Sequence, residues 1–230
     1  MNVSQVARLL RVSRPTVRYW RDRPPEWPKV GGGGGEPCPR CHHRSLDGPA
    51  YVYLLGIYLG DGSISRMPRD VYKLRIVCAL AYPGLIEECR RAVATVRQLP
   101  RPPRFVCQVG CVEVFSYWKH WPCLFPQHGK GPKHMRSIRL DRWQWELVIS
   151  HPRQLLRGLL HSDGCRVLNR VKGRDYPRYF FTNHSHDIRA IFTTVCDLLS
   201  IRWRRSNWKT ISIARRPDVD FLDGFVGPKR

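Results

Sequence analysis

Apolar positions follow two different periods along this chain of 230 residues. Residues 51–60 form an almost wholly apolar run, and residues 155–160 are again mostly apolar, as expected of buried helices. After each run come two segments with alternating apolar and polar residues, one segment with the helical period, and two more alternating segments. The pattern therefore predicts helix-strand-strand-helix-strand-strand in each half, which is an α+β architecture.

The predicted elements of the two halves correspond in order. In the first half, strands are expected at residues 63–66, 72–79, 105–109 and 112–117, with a helix at 86–97. In the second half, strands are expected at 165–172, 176–182, 202–206 and 208–214, with a helix between the pairs and a last one around Phe221. We therefore expect one module at residues 50–150, which includes an irregular Pro- and Gly-rich segment, and another at 151–230.

A nine-residue motif ends the apolar helix of each half. It reads Leu-x-Gly-aliphatic-apolar-x-small-Asp-Gly at residues 54–62 and 156–164, so the two copies begin 102 residues apart. Small residues four positions apart lie on one helix face and let two helix backbones approach closely. The two helices are therefore expected to pack on each other through Gly56, Gly60, Gly158 and Ser162.

Asp61 and Asp163 occupy equivalent positions in the two motifs and are expected to lie side by side where the helices end. Carboxylates that converge at the negative ends of two helix dipoles repel each other and raise a pKa. A divalent cation removes this conflict, and oxygen ligands that are open to phosphate favour Mg²⁺. Such an ion can activate water and stabilise the leaving oxygen of a phosphodiester.

The charge balance indicates the partner. Forty Lys and Arg residues face eighteen Asp and Glu residues, giving a formal net charge of +22, and 32 of the forty are Arg. This excess points to nucleic acid, since the guanidinium fork suits phosphate and base edges. The longest apolar run is about half of the ~20 residues that span a bilayer. We therefore expect a cytoplasmic, nucleoid-associated protein without a membrane segment.

Residues 1–28 resemble the bacterial helix-turn-helix family, with Arg11 where that family prefers glycine in the turn. Ser4 and Ser13 can cap two short helices, and Pro15 stands where a helix tolerates proline. The second helix would offer Arg14, Thr16, Arg18 and Arg21 to a major groove. The alternative is an amphipathic helix pair with a solvated basic face. A Gly- and Pro-rich linker at residues 29–49, with five consecutive glycines, would follow as a flexible tether.

The paired Asp-Gly motifs resemble those of the LAGLIDADG homing endonucleases in their single-chain, two-repeat form, over about residues 50–230. The resemblance implies a pseudo-two-fold saddle, monomeric in this region, that straddles double-stranded DNA and cuts both strands. It implies that Asp61 and Asp163 bind Mg²⁺, with the Gly60 and Ser162 carbonyls as accessory ligands and Lys209 as a residue that organises solvent. Leu59 and His161 stand where the namesake motif has its first Asp, a position that the family varies.

Basic residues alternate along the predicted strands and would hold the duplex across the saddle. The side chains expected to contact DNA there are Lys73, Arg75, Arg166, Arg170, Lys172, Arg202, Arg204 and Arg215.

Cys38 and Cys41 have the CxxC spacing of a zinc knuckle. Nine cysteines is an odd number, which favours reduced thiols or metal ligands over a disulfide scaffold. The irregular segment between the motifs supplies candidates for the remaining ligands of a Zn²⁺ site, namely Cys123, His128 and His134. The alternative is a pair of free thiols in a linker, with unrelated histidines.

Three functions remain open from the sequence. The leading hypothesis is a Mg²⁺-dependent, site-specific DNA endonuclease with an accessory helix-turn-helix. The second is a regulator that binds DNA without cutting it and is built on the same scaffold. The third is an RNA-binding or intron-splicing accessory protein.

Overall fold

The computed structural model describes residues 37–171 and 173–227, together with Arg14 and Lys229. The predicted helix-turn-helix, with Thr16, Arg18 and Arg21, lies outside the described residues, as does Lys172. Arg14 is exposed.

Seven α-helices, two short 3-10 helices and eight strands are formed by the described residues. The first module contains α1 (Gly48–Asp61), β1 (Gly62–Arg66), β2 (Tyr72–Ala79), α2 (Pro83–Arg97), β3 (Phe105–Gln108) and β4 (Cys111–Trp118). Two short helices follow, α3 (Trp121–Leu124) and α4 (Arg142–Ser150). The second module contains α5 (Pro152–Asp163), β5 (Gly164–Val171), β6 (Arg174–Thr182), α6 (His186–Leu198), β7 (Arg204–Arg205), β8 (Thr210–Ile213) and α7 (Arg216–Val226).

Each module folds its four strands into one antiparallel sheet with the same topology. The strand orders are β1-β2-β4-β3 and β5-β6-β8-β7. The α+β class and the repeated element order predicted from the sequence are therefore confirmed. Among the described helices, none combines the length and the apolar character that crossing a bilayer requires.

The last strand pair is shorter than predicted because a tight turn interrupts it. Residues 206–210 form this turn, in which the Ser206 amide donates to the Thr210 carbonyl at 2.9 Å. The Asn207 side chain accepts from the Lys209 amide at 3.0 Å, which is the local hydrogen bond that favours turns over strands. Lys209 therefore lies in the turn and not in β8.

The centre of the molecule is the contact between α1 and α5. Asp47 caps α1 by accepting a hydrogen bond from the Ala50 amide at 2.8 Å. The helix is then buried along almost its whole length because α5 covers one side and its own module covers the other. Such a helix is apolar all round, as its sequence predicted.

Glycines bring the two helix backbones into direct contact. A Cβ atom added to Gly56 would lie 2.7 Å from the Leu155 carbonyl oxygen and 2.9 Å from the Gly158 Cα. A Cβ added to Gly158 would meet the Tyr53 carbonyl and lie 3.0 Å from the Gly56 Cα. These neighbours are backbone atoms, so a side chain fits at either position only if the helices separate.

We predict that Gly158→Ala lowers the free energy of unfolding by about 1–3 kcal/mol, the usual cost of overpacking a core. The matched control is Gly224→Ala, because Gly224 lies in α7 and an added Cβ meets nothing within 4 Å. That change should stabilise the protein by about 1 kcal/mol through helix propensity. Urea denaturation measures both, and equal stabilities for the two variants would contradict the close approach.

Candidate metal centre and nucleic-acid interface

The two motif aspartates end the two crossing helices at the same end of the helix pair. Asp61 is the last residue of α1 and Asp163 the last residue of α5. A Cβ built on Gly60 would lie 2.8 Å from Asp163 Oδ2, so this carboxylate lies against the backbone of the opposite helix. The interface between the modules thus brings one acid from each motif to a common site.

Electrostatics at this site disfavour two charged carboxylates. Burial raises the pKa of Asp61 to about 6, and the charge of Asp163 adds to the effect. Asp61 as a whole residue is nevertheless exposed at the surface. The pKa of Asp163 is also raised by burial, against the hydrogen bond that Asn183 Nδ2 donates to its Oδ2 at 2.6 Å. Asn183 belongs to no motif, and no pattern in the sequence singles it out.

Two lysines that lie outside the Asp-Gly motifs cover the ends of the motif helices, and neither was expected here. Lys133 Nζ donates hydrogen bonds to the carbonyl oxygens of Leu59 at 3.0 Å and Gly60 at 2.9 Å. Lys229 Nζ donates to the carbonyl oxygens of Ser162 at 3.1 Å and Gly164 at 2.6 Å. Each ammonium group therefore lies at the negative end of a helix dipole, where a cation is stabilised.

A repeated tripeptide in the sequence marks these two lysines. Lys133 ends the tripeptide Gly-Pro-Lys at residues 131–133, and Lys229 ends the same tripeptide at residues 227–229. The tripeptide follows the four strands of each module, so the internal repeat extends beyond the Asp-Gly motifs.

The lysines interact electrostatically with both acids. Burial lowers the pKa of Lys133 to about 8, although Asp163 and Asp61 oppose the shift. Burial likewise lowers the pKa of Lys229, again opposed by both aspartates. Lys209, the residue expected to organise solvent, instead holds its ammonium group 5.7 Å from the ring centre of Trp208.

A cavity of about 370 Å³ opens at this site between the two modules. Its lining includes Gly60, Ser63, Lys133, His134, Asp163 and Asn183, whereas Asp61 is not among the lining residues. The carbonyls of Gly60 and Ser162 already accept hydrogen bonds from the lysines, but a carbonyl oxygen has a second lone pair. Carboxylate and carbonyl oxygens in an accessible recess are suitable ligands for Mg²⁺.

His161, which stands where the namesake motif has its first Asp, is a structural residue. Its Nδ1 lies 3.0 Å from the Tyr53 hydroxyl, and its Nε2 donates to the Val226 carbonyl at 2.8 Å. Burial lowers its pKa to about 4, so the ring is neutral at pH 7. Leu59 is fully buried. The two departures from the namesake motif therefore contribute to the core.

The first sheet presents basic residues on the face that its helices leave open. Leu74 and Ile76 alternate with Lys73 and Arg75 on β2, and the first pair is buried in the core. Lys73 and Arg75 therefore share the opposite face, where both pair with Glu113. This matches the face expected for them from the sequence.

The second sheet places Arg166 on the other face. Arg166 is registered opposite Tyr179, which is buried, and its guanidinium makes two 2.7 Å hydrogen bonds with Asp223 of α7. The expectation that Arg166 lies on the nucleic-acid face is therefore wrong. Arg170 shares its face by alternation and lies 3.6 Å from Asp175. The alternation along the strand defines two sets of side chains, and only the strand register shows which set faces outward.

Other arginines occupy the open side of the second sheet. Arg178 alternates with the buried Tyr179, and Arg204 is registered opposite Ser212, which pairs with Phe180 on the same open face. Arg178 and Arg204 line a groove of about 1140 Å³, together with three further arginines. Those three are Arg202, Arg205 and Arg215.

The predicted zinc ligands are only partly brought together. Cys38, Cys41 and Cys123 do meet, and the fourth ligand-type side chain beside them is His120. His128 instead places its ring against Tyr72.

His134, also expected in the zinc set, borders the cavity beside Asp163, with its ring centre 5.8 Å from that of His184. The assignment of His128 and His134 to the cysteine cluster is therefore wrong, because the turn after β4 delivers the nearer residue His120.

Comparisons with known proteins support the fold at low sequence identity. Neither a family model nor a curated protein matches the chain. The homing endonuclease I-WcaI bound to its DNA recognition sequence is similar, with a TM-score of 0.53 and 13% identity over 81% of this chain and 84% of that chain. The homing endonuclease I-DmoI in complex with DNA and Ca is similar, with a TM-score of 0.51 and 15% identity over 80% of this chain and 92% of that chain. A set of mesophilic variants of I-DmoI gives the same TM-score and identity, covering 94% of that chain. The described residues therefore adopt the two-module LAGLIDADG fold.

Proposed function

We propose that this protein binds double-stranded DNA across the open faces of its two sheets and hydrolyses both strands with Mg²⁺ held by Asp61 and Asp163. The observation that carries the proposal is the convergence of these two carboxylates at the helix crossing, each beside a lysine on its own helix end. The charge of Asp163 contributes to the raised pKa of Asp61, so two charged carboxylates here are unfavourable by themselves and are stabilised by a divalent cation.

The residues present fit such an ion. Asp163 and Gly60 line the accessible recess, and Asp61 and Ser162 adjoin them at the helix ends. Their carboxylates and the second lone pairs of the Gly60 and Ser162 carbonyls are hard oxygen ligands. When bound there, Mg²⁺ would supply an activated water and stabilise the leaving oxygen of the phosphodiester. Asn183 fixes the orientation of the Asp163 carboxylate through its 2.6 Å hydrogen bond.

Lys133 and Lys229 supply positive charge beside the two aspartates. Each ammonium group binds carbonyl oxygens at the end of one motif helix, and both offset part of the repulsion between the acids. They also present positive charge to a phosphate that approaches the recess, which stabilises charge developing on its oxygens. A lysine with a pKa of about 8, as for Lys133, can exchange a proton with solvent near neutral pH.

The open sheet faces provide the binding surface. Lys73 and Arg75 on one sheet and Arg178 and Arg204 on the other are oriented away from the helices. The solved proteins that share this fold include I-WcaI and I-DmoI bound to DNA. With a net charge of +22, phosphate contacts would dominate the affinity.

A second candidate function is DNA binding without cleavage, as in a transcriptional regulator. The helix-turn-helix pattern of residues 1–28 favours it, because a second DNA-binding unit suits a regulator. Retention of both aspartates favours the nuclease.

We predict that Asp61→Asn and Asp163→Asn each reduce DNA cleavage by more than ~10–100-fold. That range is typical of losing a residue that only hydrogen-bonds to a metal ligand. DNA binding should survive, since the substitutions preserve shape and remove negative charge from the interface. Incubation of a randomised duplex library with the protein and Mg²⁺, followed by sequencing of the cut ends, measures cleavage, and gel shifts measure binding.

Asp220→Asn is the control for these variants, because Asp220 lies on α7 and pairs with Arg216 on the surface. If the unmodified protein binds duplexes but cuts none with Mg²⁺ or Mn²⁺, the regulator is the correct function. Stronger binding to structured RNA than to any duplex would exclude both DNA functions.

We also predict that Arg75→Ala and Arg204→Ala weaken DNA binding and reduce the dependence of log K on log salt by about one unit for each phosphate that the variant no longer neutralises. Arg216→Ala removes the same charge from the helical side of the second module and should leave the slope unchanged. Fluorescence anisotropy over a salt series measures the slopes. Equal effects of all three variants would show that the duplex does not lie on the open sheet faces.

A further inference from the structure

Four metal-ligand side chains from two distant parts of the chain meet beside the first module. Cys38 and Cys41 precede α1, whereas His120 and Cys123 lie at the turn after β4. Their three sulfur atoms and one imidazole nitrogen all lie within 4.8 Å of one another. Cys38 and His120 are buried, and the other two residues are half-buried.

The distances within this cluster fit a tetrahedral metal site. Zn–S bonds of about 2.3 Å and Zn–N bonds of about 2.0 Å place tetrahedral ligand atoms roughly 3.5–3.8 Å apart. Cys41 Sγ lies 3.4 Å from Cys123 Sγ, and Cys123 Sγ lies 3.8 Å from His120 Nδ1. A disulfide requires sulfur atoms about 2.05 Å apart, and the three cysteines of the cluster are free thiols here.

We propose that Cys38, Cys41, His120 and Cys123 bind one structural Zn²⁺ ion. Three thiolates and one imidazole in a compact set select zinc, since carboxylate and carbonyl oxygens would be needed for Mg²⁺. Four protein ligands leave no open position, so the site is structural and not catalytic.

The surroundings of the cluster are typical of a zinc knuckle. Backbone N–H groups of Arg40 and Cys41 donate to the Cys38 sulfur. His42 folds back over the same turn, where its Nδ1 accepts from the Cys38 amide at 2.9 Å and its amide donates to the Cys38 carbonyl at 2.9 Å. His42 is thus engaged in closing the turn, which leaves His120 as the imidazole ligand.

The His120 ring is held in place by aromatic neighbours. The Trp118 ring lies edge-on at 5.3 Å between centres and the His42 ring at 5.4 Å. Packing of this kind fixes the direction of a metal-ligating imidazole before the metal binds.

The zinc ion would attach the segment before α1 to the first module. Residues 37–47 form no regular helix or strand, and their side chains supply few apolar anchors apart from Cys38. Arg44 and Ser45 add contacts with Gln98 at the end of α2, on an exposed surface. A metal that links Cys41 to Cys123 joins residues 82 positions apart, and its binding free energy would add to the stability of the folded chain.

The first test is metal analysis of the untagged full-length protein, purified without chelators. We expect about one zinc per chain, lost in Cys38→Ser and Cys123→Ser and retained in Cys107→Ser, whose thiol is exposed on β3. His120→Ala should lose zinc, whereas His128→Ala and His134→Ala should keep it. Asp61→Asn combined with Asp163→Asn should also keep it, which separates this site from the proposed Mg²⁺ centre.

A second measurement keeps the proposal falsifiable if the cysteine variants fail to fold. Co²⁺ added to the metal-free protein should give the intense visible bands of tetrahedral thiolate coordination, and His120→Cys should retain metal through four sulfur ligands. Substoichiometric zinc together with no such Co²⁺ spectrum would overturn the assignment. So would full zinc content in Cys123→Ser, or a Cys41–Cys123 disulfide in the freshly purified protein.

Discussion

The backbone contact between α1 and α5 is the constraint on which the rest of the structure depends. Gly56 and Gly158 remove the two side chains that would separate the helices. Because the helices touch, their C-terminal ends converge, and the two sheets flank a single recess. A larger residue at the crossing would therefore disturb the core, the acid pair and the relative position of the sheets together.

Convergence of the helix ends creates an electrostatic problem that the chain itself partly solves. Two carboxylates and two negative dipole ends meet here, and burial raises the pKa of both acids. Lys133 and Lys229 reach the same place and lower the pKa of both acids, yet the pKa of Asp61 remains about 6. From the motifs alone, a metal ion is the only group expected to offset the repulsion between the two carboxylates. In the structure, the ammonium groups of Lys133 and Lys229 offset part of it, and oxygen ligands for a metal are still present.

Local patterns explain what the sequence could predict. Helix and strand periods, the repeated Asp-Gly motif and the small residues at the crossing are encoded within a few positions, so the modules and the meeting of the helices were foreseeable. The face of Arg166 depends on strand register, and a shift of one residue reverses it. The choice of His120 over His128 depends on how a turn packs against a segment that is distant along the chain. Long-range packing of this kind leaves little trace in a single sequence.

The Gly-Pro-Lys tripeptides show that the repeated unit is longer than its motif and its four strands. One unit runs from α1 to Lys133 and the other from α5 to Lys229, with α4 between them. Each unit thus carries one acid, one lysine and one helix face with a glycine at the crossing. The face of one unit packs against the equivalent face of the other. Two copies of one such unit would complete the same acid pair as a symmetric homodimer, and the present chain joins two units in one polypeptide. Within one polypeptide the two halves can differ, and Asn183 and the cysteine cluster are features that a symmetric dimer would carry twice.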